Sequence, residues 1–471
     1  MIKNDRWLFN ALLVLLLWLP IPLGSNRPWA WSIMEIYSFA LLLCWIGFQA
    51  QQFDYKYLKP YRPLLIIFAL IQLWVFLQQI SIPIEWLKVI SPDRASYYLS
   101  AGAESGSLSF DASYTFIQWV IGCSYLAILF LTLVLTRSEK RLKQLIFIMI
   151  IAGLIQALYG LFLVLTKTDH LLFENTRWVG LATGTFMYRN HFANFLMLTL
   201  SLGIGIMVAN LSSSRKQNFK RQILNVINTV FSIKALVRVS LVVMVIALVM
   251  SRSRMGNTAF FASMTICSIF ALVFMKRKTS SLIWLFGSLL VIDIFIVSSW
   301  FGLEKVQERL ETTSLEQETR DEVVMYGVEL VKQYPYTGTG AGSFYSSFQS
   351  VQGPGISAFY DFAHNDYLQF AIEYGIPATL LLGFMVLWSF WHAQIALRSR
   401  HRSLMKGVGF AAMMAIIGQL IHISVDFTLQ PPANAVYFIV ILAMAWMSRY
   451  LPADMRSHKP QQKLTEHNGQ V

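Results

Sequence analysis

The chain has 471 residues, 56% of them apolar and only 13% charged, with a mean hydropathy of +0.53. That balance excludes an ordinary soluble globular domain and makes a lipid bilayer the solvent. A formal charge of +13 would suit a nucleic-acid partner, but the basic residues fall in short clusters between apolar runs, so they report membrane orientation and no nucleic acid is expected.

Crossing a hydrocarbon core of roughly 30 Å takes about 17 to 25 mainly apolar residues. Stretches of that kind predict about twelve transmembrane helices, near 7–23, 29–49, 63–81, 114–136, 144–166, 191–210, 235–251, 256–275, 280–300, 366–391, 405–425 and 433–450. The fold class is therefore all-α and polytopic, a single transmembrane domain over 1–450. The first run ends in Pro-Ile-Pro-Leu-Gly-Ser without a small-residue cleavage site and another span follows at once, so it reads as a helix and not a signal peptide. Cys44, Cys123 and Cys267 each sit inside an apolar run and form neither a metal-binding pair nor a disulfide framework.

Positively charged loops are retained in the cytoplasm. With the N-terminus inside, Lys56, Lys59 and Arg62, the run from Arg137 to Lys143, the stretch from Arg215 to Arg238, Lys276 to Lys278 and Arg398 to Lys406 all fall on the inner side. Both termini are then cytoplasmic, and the polar residues 451–471 form a cytoplasmic tail. Two long segments, 82–113 and 301–363, face outward. The second contains an amphipathic helix over Glu318–Gln333, with Val324, Val328 and Val331 at helical spacing, and it stops at Tyr334-Pro335. The glycines at 338, 340 and 342 that follow predict an irregular loop, since alternating glycines destabilise helix and strand alike.

Ionisable residues are costly inside a bilayer and mark cavities or partners. On this topology Glu35, Asp293, Glu373 and Asp426 all lie near the outer mouth, with Arg189, His191, Arg252, Arg254 and His364. A transporter would place such groups near the midplane on broken helices related by an internal repeat, and no such repeat stands out; nor does a filter-like segment of the kind channels use. An enzyme acting on a substrate presented from the outer leaflet fits the distribution best. A lipid-linked sugar transporter is the alternative from another class.

Three segments carry candidate chemistry. Arg189-Asn190-His191 begins the sixth span, where arginine can grip phosphate bidentately and Asn190 can bind sugar hydroxyls or cap the helix; an interfacial anchor of Arg, His and aromatics reads from the same residues. Arg252 and Arg254 form a doubly basic outward turn, open to phosphate binding or to snorkelling at a helix end. His364, entering the membrane from the long loop, suits a general base that removes a hydroxyl proton, with Asn365 and Asp366 placed to orient it or to bind sugar. A plain helix start capped by Asn365 or Asp366 reads equally well there.

Four stretches together resemble the O-antigen ligase and polymerase superfamily of bacterial inner-membrane glycosyltransferases: Arg189-Asn190-His191; Ser253-Arg254-Met255-Gly256; the Arg320 helix running through Pro335 into Gly338, Gly340, Gly342 and Phe344; and His364-Asn365 with Gly375 after nine intervening residues. The resemblance implies transfer of a glycan from undecaprenyl diphosphate to an acceptor hydroxyl on the periplasmic face, without metal or cofactor. The implied acceptor is lipid A core, or a second lipid-linked glycan if the protein is a polymerase, and membrane lipids surround the site. By motif, His364 corresponds to the base, Arg254 and Arg320 to the diphosphate ligands, Arg189 and Arg252 to secondary anion ligands, and Asp426 to a supporting acid. Ala378 departs from the Gly, Thr or Tyr that ligases of the family commonly carry three residues after the glycine, which weighs toward polymerisation.

Overall fold

The computed structural model describes residues 5–168, 172–174, 179–211, 233–274, 287, 315–353 and 359–452. Helices occupy eleven of the twelve expected stretches: α1 (Arg6–Trp18), α2 (Pro28–Phe48), α3 (Arg62–Gln79), α6 (Ala112–Leu135), α7 (Glu139–Thr166), α8 (Arg189–Leu211), α9 (Ile233–Met250), α10 (Arg254–Phe274), α13 (Asp366–Ser399), α14 (Ser403–His422) and α15 (Pro432–Tyr450). The expected span 280–300 with Asp293, apart from Gly287, residues 301–314 and the tail from 453 lie outside the described residues. Among the described residues nine helices are long and apolar enough to cross a membrane, and α1 and the apolar part of α9 are shorter. This is an all-helical, multi-pass membrane protein.

The segment 82–113 folds into α4 (Ile84–Ile90), α5 (Pro92–Ser100) and a two-residue strand pairing, Ile82–Pro83 against Ser105–Gly106. The segment after residue 301 supplies α11 (Leu315–Gln333) and α12 (Phe344–Phe348). Two helix boundaries and one packed face differ from expectation. α7 starts at Glu139 because Ser138 caps it by accepting the Arg141 amide at 3.2 Å, so its charged first turn is helical although not apolar. α13 runs on to Ser399, well beyond its apolar core. In α11 the packed face is Val323, Gly327 and Leu330 with Val331 beside them, while Val328 is exposed, because Gly327 lets the helix lie against Leu368 and Ile372 of α13. A glycine adds nothing to an apolar stripe in sequence.

α8 and α14 form the centre. A Cβ on Gly205 would sit 2.4 Å from the Gly407 carbonyl oxygen, and one on Gly407 would sit 2.3 Å from that of Gly205, so the two backbones touch, with Ala209 and Ala411 beside them. In lipid, where apolar surface alone gives little drive to associate, small residues that allow this approach are what pack helices. α10 joins them where Gly418 meets Met197 and Ser263. Around this trio stand α7, α13, α15 and the earlier helices.

The two ends of the bundle differ in chemistry. One is basic: Arg137 and Arg141 each reach Asp5 at 2.5 Å, and Arg402 pairs with Glu139. The other carries α4, α5, α11, α12 and the glycine-rich loop, and all the candidate residues lie there.

Candidate functional site

The site is assembled at the loop-rich end from the starts of α8, α10 and α13 and the link between α14 and α15. Asn365 caps α13, its Oδ1 accepting the Leu368 amide at 3.2 Å, while its Nδ2 donates to the Ser424 carbonyl at 2.9 Å. Asp366 completes the joint. Its amide donates to the carbonyls of Ile423 (3.0 Å) and Asp426 (3.2 Å), and its carboxylate accepts from the Leu429 amide (3.0 Å) and Gln430 Nε2 (2.9 Å). The cap read from this segment is present, and it is what fixes His364 just before the helix.

His364 has a left-handed backbone, φ 53°, at the residue where the loop turns into α13. Non-glycine residues seldom adopt it, although His is among those that do so more often. Its half-buried ring meets the Phe427 ring edge-on at 4.8 Å and Tyr360 at 5.9 Å. Phe427 is shared: His191 meets it edge-on, also at 4.8 Å, and Phe362 stacks on it at 4.7 Å and 13°. Asp426, one residue earlier and buried, accepts a hydrogen bond from Asn190 Nδ2 and accepts its neighbour's amide, Phe427 N, at 2.9 Å. Asn434 then ties α15 to the His191 carbonyl at 3.1 Å. Thus His364, Asn365, Asn190, His191 and Asp426, expected from three separate segments, are brought together.

The arginines are distributed differently. Arg189 opens α8 and is half-buried. Arg252, with φ 50°, and Arg254, the first residue of α10, are both exposed, so neither is turned into the protein in preference to the other. Their turn is nonetheless close to the cluster, because a Cβ on Gly256 would meet Ala193 of α8 at 2.5 Å and His422 at 3.3 Å. Arg320 falls in α11 one turn before Val323, which packs in the same cluster as Ala363. The Arg320 side chain lies outside the described part. Asn194 is fully buried within α8.

The glycine-rich loop is bonded to a break in α13. Gly375 has φ 77° and ψ 162°, and a Cβ there would lie 2.5 Å from the Tyr336 carbonyl; one on Gly338 would lie 2.4 Å from the Glu373 carbonyl. Only glycine fits at both positions, which explains in physical terms why a glycine stands nine intervening residues after Asn365. Gln78 of α3, fully buried, closes the joint from the far side, donating to Thr337 O and Glu373 O (2.8 Å each) and accepting the Ala341 amide (3.3 Å). The segment 82–113 and the start of α6 attach to the same loop: Phe110 N donates to Thr339 O at 2.8 Å and Thr115 Oγ1 to Ala341 O at 2.8 Å.

Beside this joint opens a cavity of about 500 Å³, whose walls include Arg27, Trp31, Tyr114, Tyr188, Phe362 and Glu373. Among the described residues none of the expected site residues lines it; Phe362, stacked on Phe427, stands between. A second, apolar cavity of about 200 Å³ lies among α3, α6, α13, α14 and α15 and shares Gln118, Ile121, Tyr125 and Gln430 with the first. Arg27 was not singled out from sequence. Its Nε and Nη2 donate to Glu174 at 2.7 and 2.6 Å, a bidentate pair that holds the Glu174 carboxyl below the usual carboxylate range. Phe427 and Gln78 were also missed as site builders, and a glutamine within an apolar span is the signal that marks Gln78; Glu373, expected near the outer mouth as an ionisable group, stands in the cavity wall.

No curated protein matches the chain. Residues 239–383, from α9 into α13, match the family model described as O-antigen ligase. The matched segment carries Arg252, Arg254, Arg320, His364, Asn365, the glycine-rich loop and Gly375, and over these residues the chain is similar to the O-antigen ligase family.

Proposed function

We propose that the protein is a glycosyltransferase that moves a glycan from undecaprenyl diphosphate to an acceptor hydroxyl, with lipid A core as the acceptor, and that its loop-rich end faces the periplasm of a bacterial inner membrane. The observation that carries this reading is the convergence of His364 and Asn365 with Asn190 through Asp426, inside a chain that matches the O-antigen ligase family.

In the proposed reaction the acceptor oxygen attacks the anomeric carbon of the donor while the bond from that carbon to the phosphate oxygen breaks. His364 takes the hydroxyl proton. The lipid diphosphate leaves with its electron pair, and the guanidinium groups of Arg254 and Arg320, with Arg189 and Arg252 as secondary ligands, balance the charge that builds on it. Each charge-assisted hydrogen bond of that kind contributes about 1.5–3 kcal/mol. Asp426 and Asn190 hold the start of α8 against the His364 joint. No step calls for a metal or cofactor.

The second reading, a polymerase that joins repeat units, is favoured by Ala378 at the position where ligases commonly carry Gly, Thr or Tyr. One experiment tests both: purified protein with an undecaprenyl-diphosphate glycan and either lipid A core or a second lipid-linked glycan, wild type against His364→Ala. Transfer to core that is lost in the variant supports the ligase, and lengthening of the lipid-linked chain supports the polymerase. Absence of transfer to either acceptor by folded wild-type protein overturns the reading.

A further inference from the structure

The larger cavity is lined for a different ligand from the one its arginine-rich surroundings suggest. Three carboxylates face it, those of Asp111, Asp361 and Glu373. Its one arginine among the described residues, Arg27, is already engaged: Nε and Nη2 are bound to Glu174 and Nη1 to the Asn26 carbonyl at 3.1 Å. A diphosphate entering here would meet like charges and no available guanidinium. The neck toward the apolar cavity holds amides and a phenol, Gln118, Gln430 and Tyr125, and among the described residues no cation.

What the walls do offer is a set of flat aromatic faces beside acceptor-only oxygens. Trp31, Tyr114 and Tyr345 contribute rings, and Tyr345 is held upright by stacking on Phe359 at 5.8 Å and 25°. Asp361 is exposed at the rim three residues before His364. Carboxylates accept hydrogen bonds from hydroxyl groups in pairs, and an apolar ring face covers the C–H side of a saturated ring while the hydroxyls turn to the polar wall. Glu373 is placed to do less, since its Oε1 already accepts the Phe344 amide at 3.3 Å and Gln369 Nε2. Phe362, on the cavity wall and stacked on Phe427, separates this space from His364 by one pair of rings.

We propose that this acid- and aromatic-lined cavity is a subsite for uncharged sugar rings, separate from the face that carries Arg189, Arg252 and Arg254, so that glycan and diphosphate are held on two sides of the Phe362–Phe427 pair. The proposal rests on the glycosyltransferase reading for its biological use, but not for its test. The sugar rings belong either to the acceptor or to the donor glycan, and the chemistry of the wall serves both.

The test uses full-length protein in nanodiscs and direct binding by saturation-transfer NMR. The probes are a free core oligosaccharide, a repeat-unit oligosaccharide released from its lipid, and inorganic pyrophosphate. Asp361→Ala and Tyr345→Ala alter side chains exposed to solvent, so both variants are expected to fold, and a thermal scan checks this. At least one oligosaccharide should bind the wild type and lose about tenfold in affinity in each variant, with pyrophosphate unaffected. Dependence of the core oligosaccharide on these residues identifies the acceptor, and dependence of the repeat unit identifies the donor. The subsite is overturned if neither oligosaccharide depends on Asp361 and Tyr345, or if pyrophosphate competes with the sugar. Oligosaccharide binding that depends on both residues in a protein without transferase activity would keep the subsite and refute the glycosyltransferase reading.

Discussion

Replacing Gly375 with alanine isolates the joint between the glycine-rich loop and α13. The backbone at φ 77°, ψ 162° lies in a region that side-chain-bearing residues avoid, at a cost of roughly 1–3 kcal/mol. The new Cβ would also stand 2.5 Å from the Tyr336 carbonyl oxygen, so the loop must withdraw, weakening the bond from Ile376 N to Pro335 O, now 2.8 Å, at a further cost of about 1 kcal/mol. A total near 3 kcal/mol corresponds to roughly a hundredfold shift of the loop away from its docked position. The amides of Thr339 and Gly340, which donate to Ile372 O (2.8 Å) and Glu373 O (3.0 Å), report that shift directly. Hydrogen exchange measured on peptides spanning 334–344 should therefore quicken by about two orders of magnitude in Gly375→Ala, with transfer activity falling in parallel. Gly383→Ala, two turns further along α13 where a Cβ meets nothing within 4 Å, is the matched control and should leave both unchanged. Wild-type exchange in Gly375→Ala would refute the reasoning that the spacing from His364 to this glycine exists to admit the loop.

Gln78→Leu leaves the carbonyls of Thr337 and Glu373 and the amide of Ala341 without their buried partner, and should lower stability by at least about 2 kcal/mol in a thermal scan of detergent-solubilised protein. An unshifted midpoint would mean the amide is dispensable. Asp426→Ala releases Asn190 and should cut single-turnover transfer by about tenfold or more while donor binding persists, an effect of roughly 1.4 kcal/mol on the barrier; full activity would remove Asp426 from the site. At the basic end, burial alone would raise the Asp5 carboxyl, but Arg141 and Arg137 outweigh it and hold the group below its ordinary value. A depressed folded-state value means the stabilisation is complete above the unfolded carboxylate range, near pH 4, and is lost as pH falls through the folded value. Asp5→Asn should therefore be less stable than wild type at pH 7, and the gap should close in thermal scans toward pH 3. A constant gap would show that the ion pairs contribute nothing.

The helices were legible because an apolar run long enough to cross lipid has few alternatives, and α8, α14 and α15 follow directly from their hydropathy. What the runs do not encode is which helices meet. The contact of Gly205 with Gly407 depends on two small residues far apart in sequence, and the face of α11 turns on Gly327, which no apolar pattern marks. In the site, Arg189-Asn190-His191 and His364-Asn365 could be singled out because polar groups beside a membrane span are conspicuous. That Asn190 should meet Asp426, 236 residues away, could not be read from either segment. The cavity was illegible for the same reason: Trp31, Asp111, Tyr345 and Asp361 come from four loops or helix starts, each ordinary by itself.

Gln78 also sets an order of events during synthesis. It lies at the end of the third helix, yet one of its partners, Glu373, is 295 residues further along the chain. At about 5–20 residues per second, that residue emerges some tens of seconds after α3 has been made. Through that interval α3 carries an amide with its bonding capacity unfilled, at the mouth of a site whose floor does not yet exist. The glycine-rich loop cannot close until α13 follows it into the membrane, so a nascent chain halted before α13 should hold its first helices in place while lacking any competent site. The clasp thus gives the protein a way to withhold its chemistry until the last third of the chain has arrived.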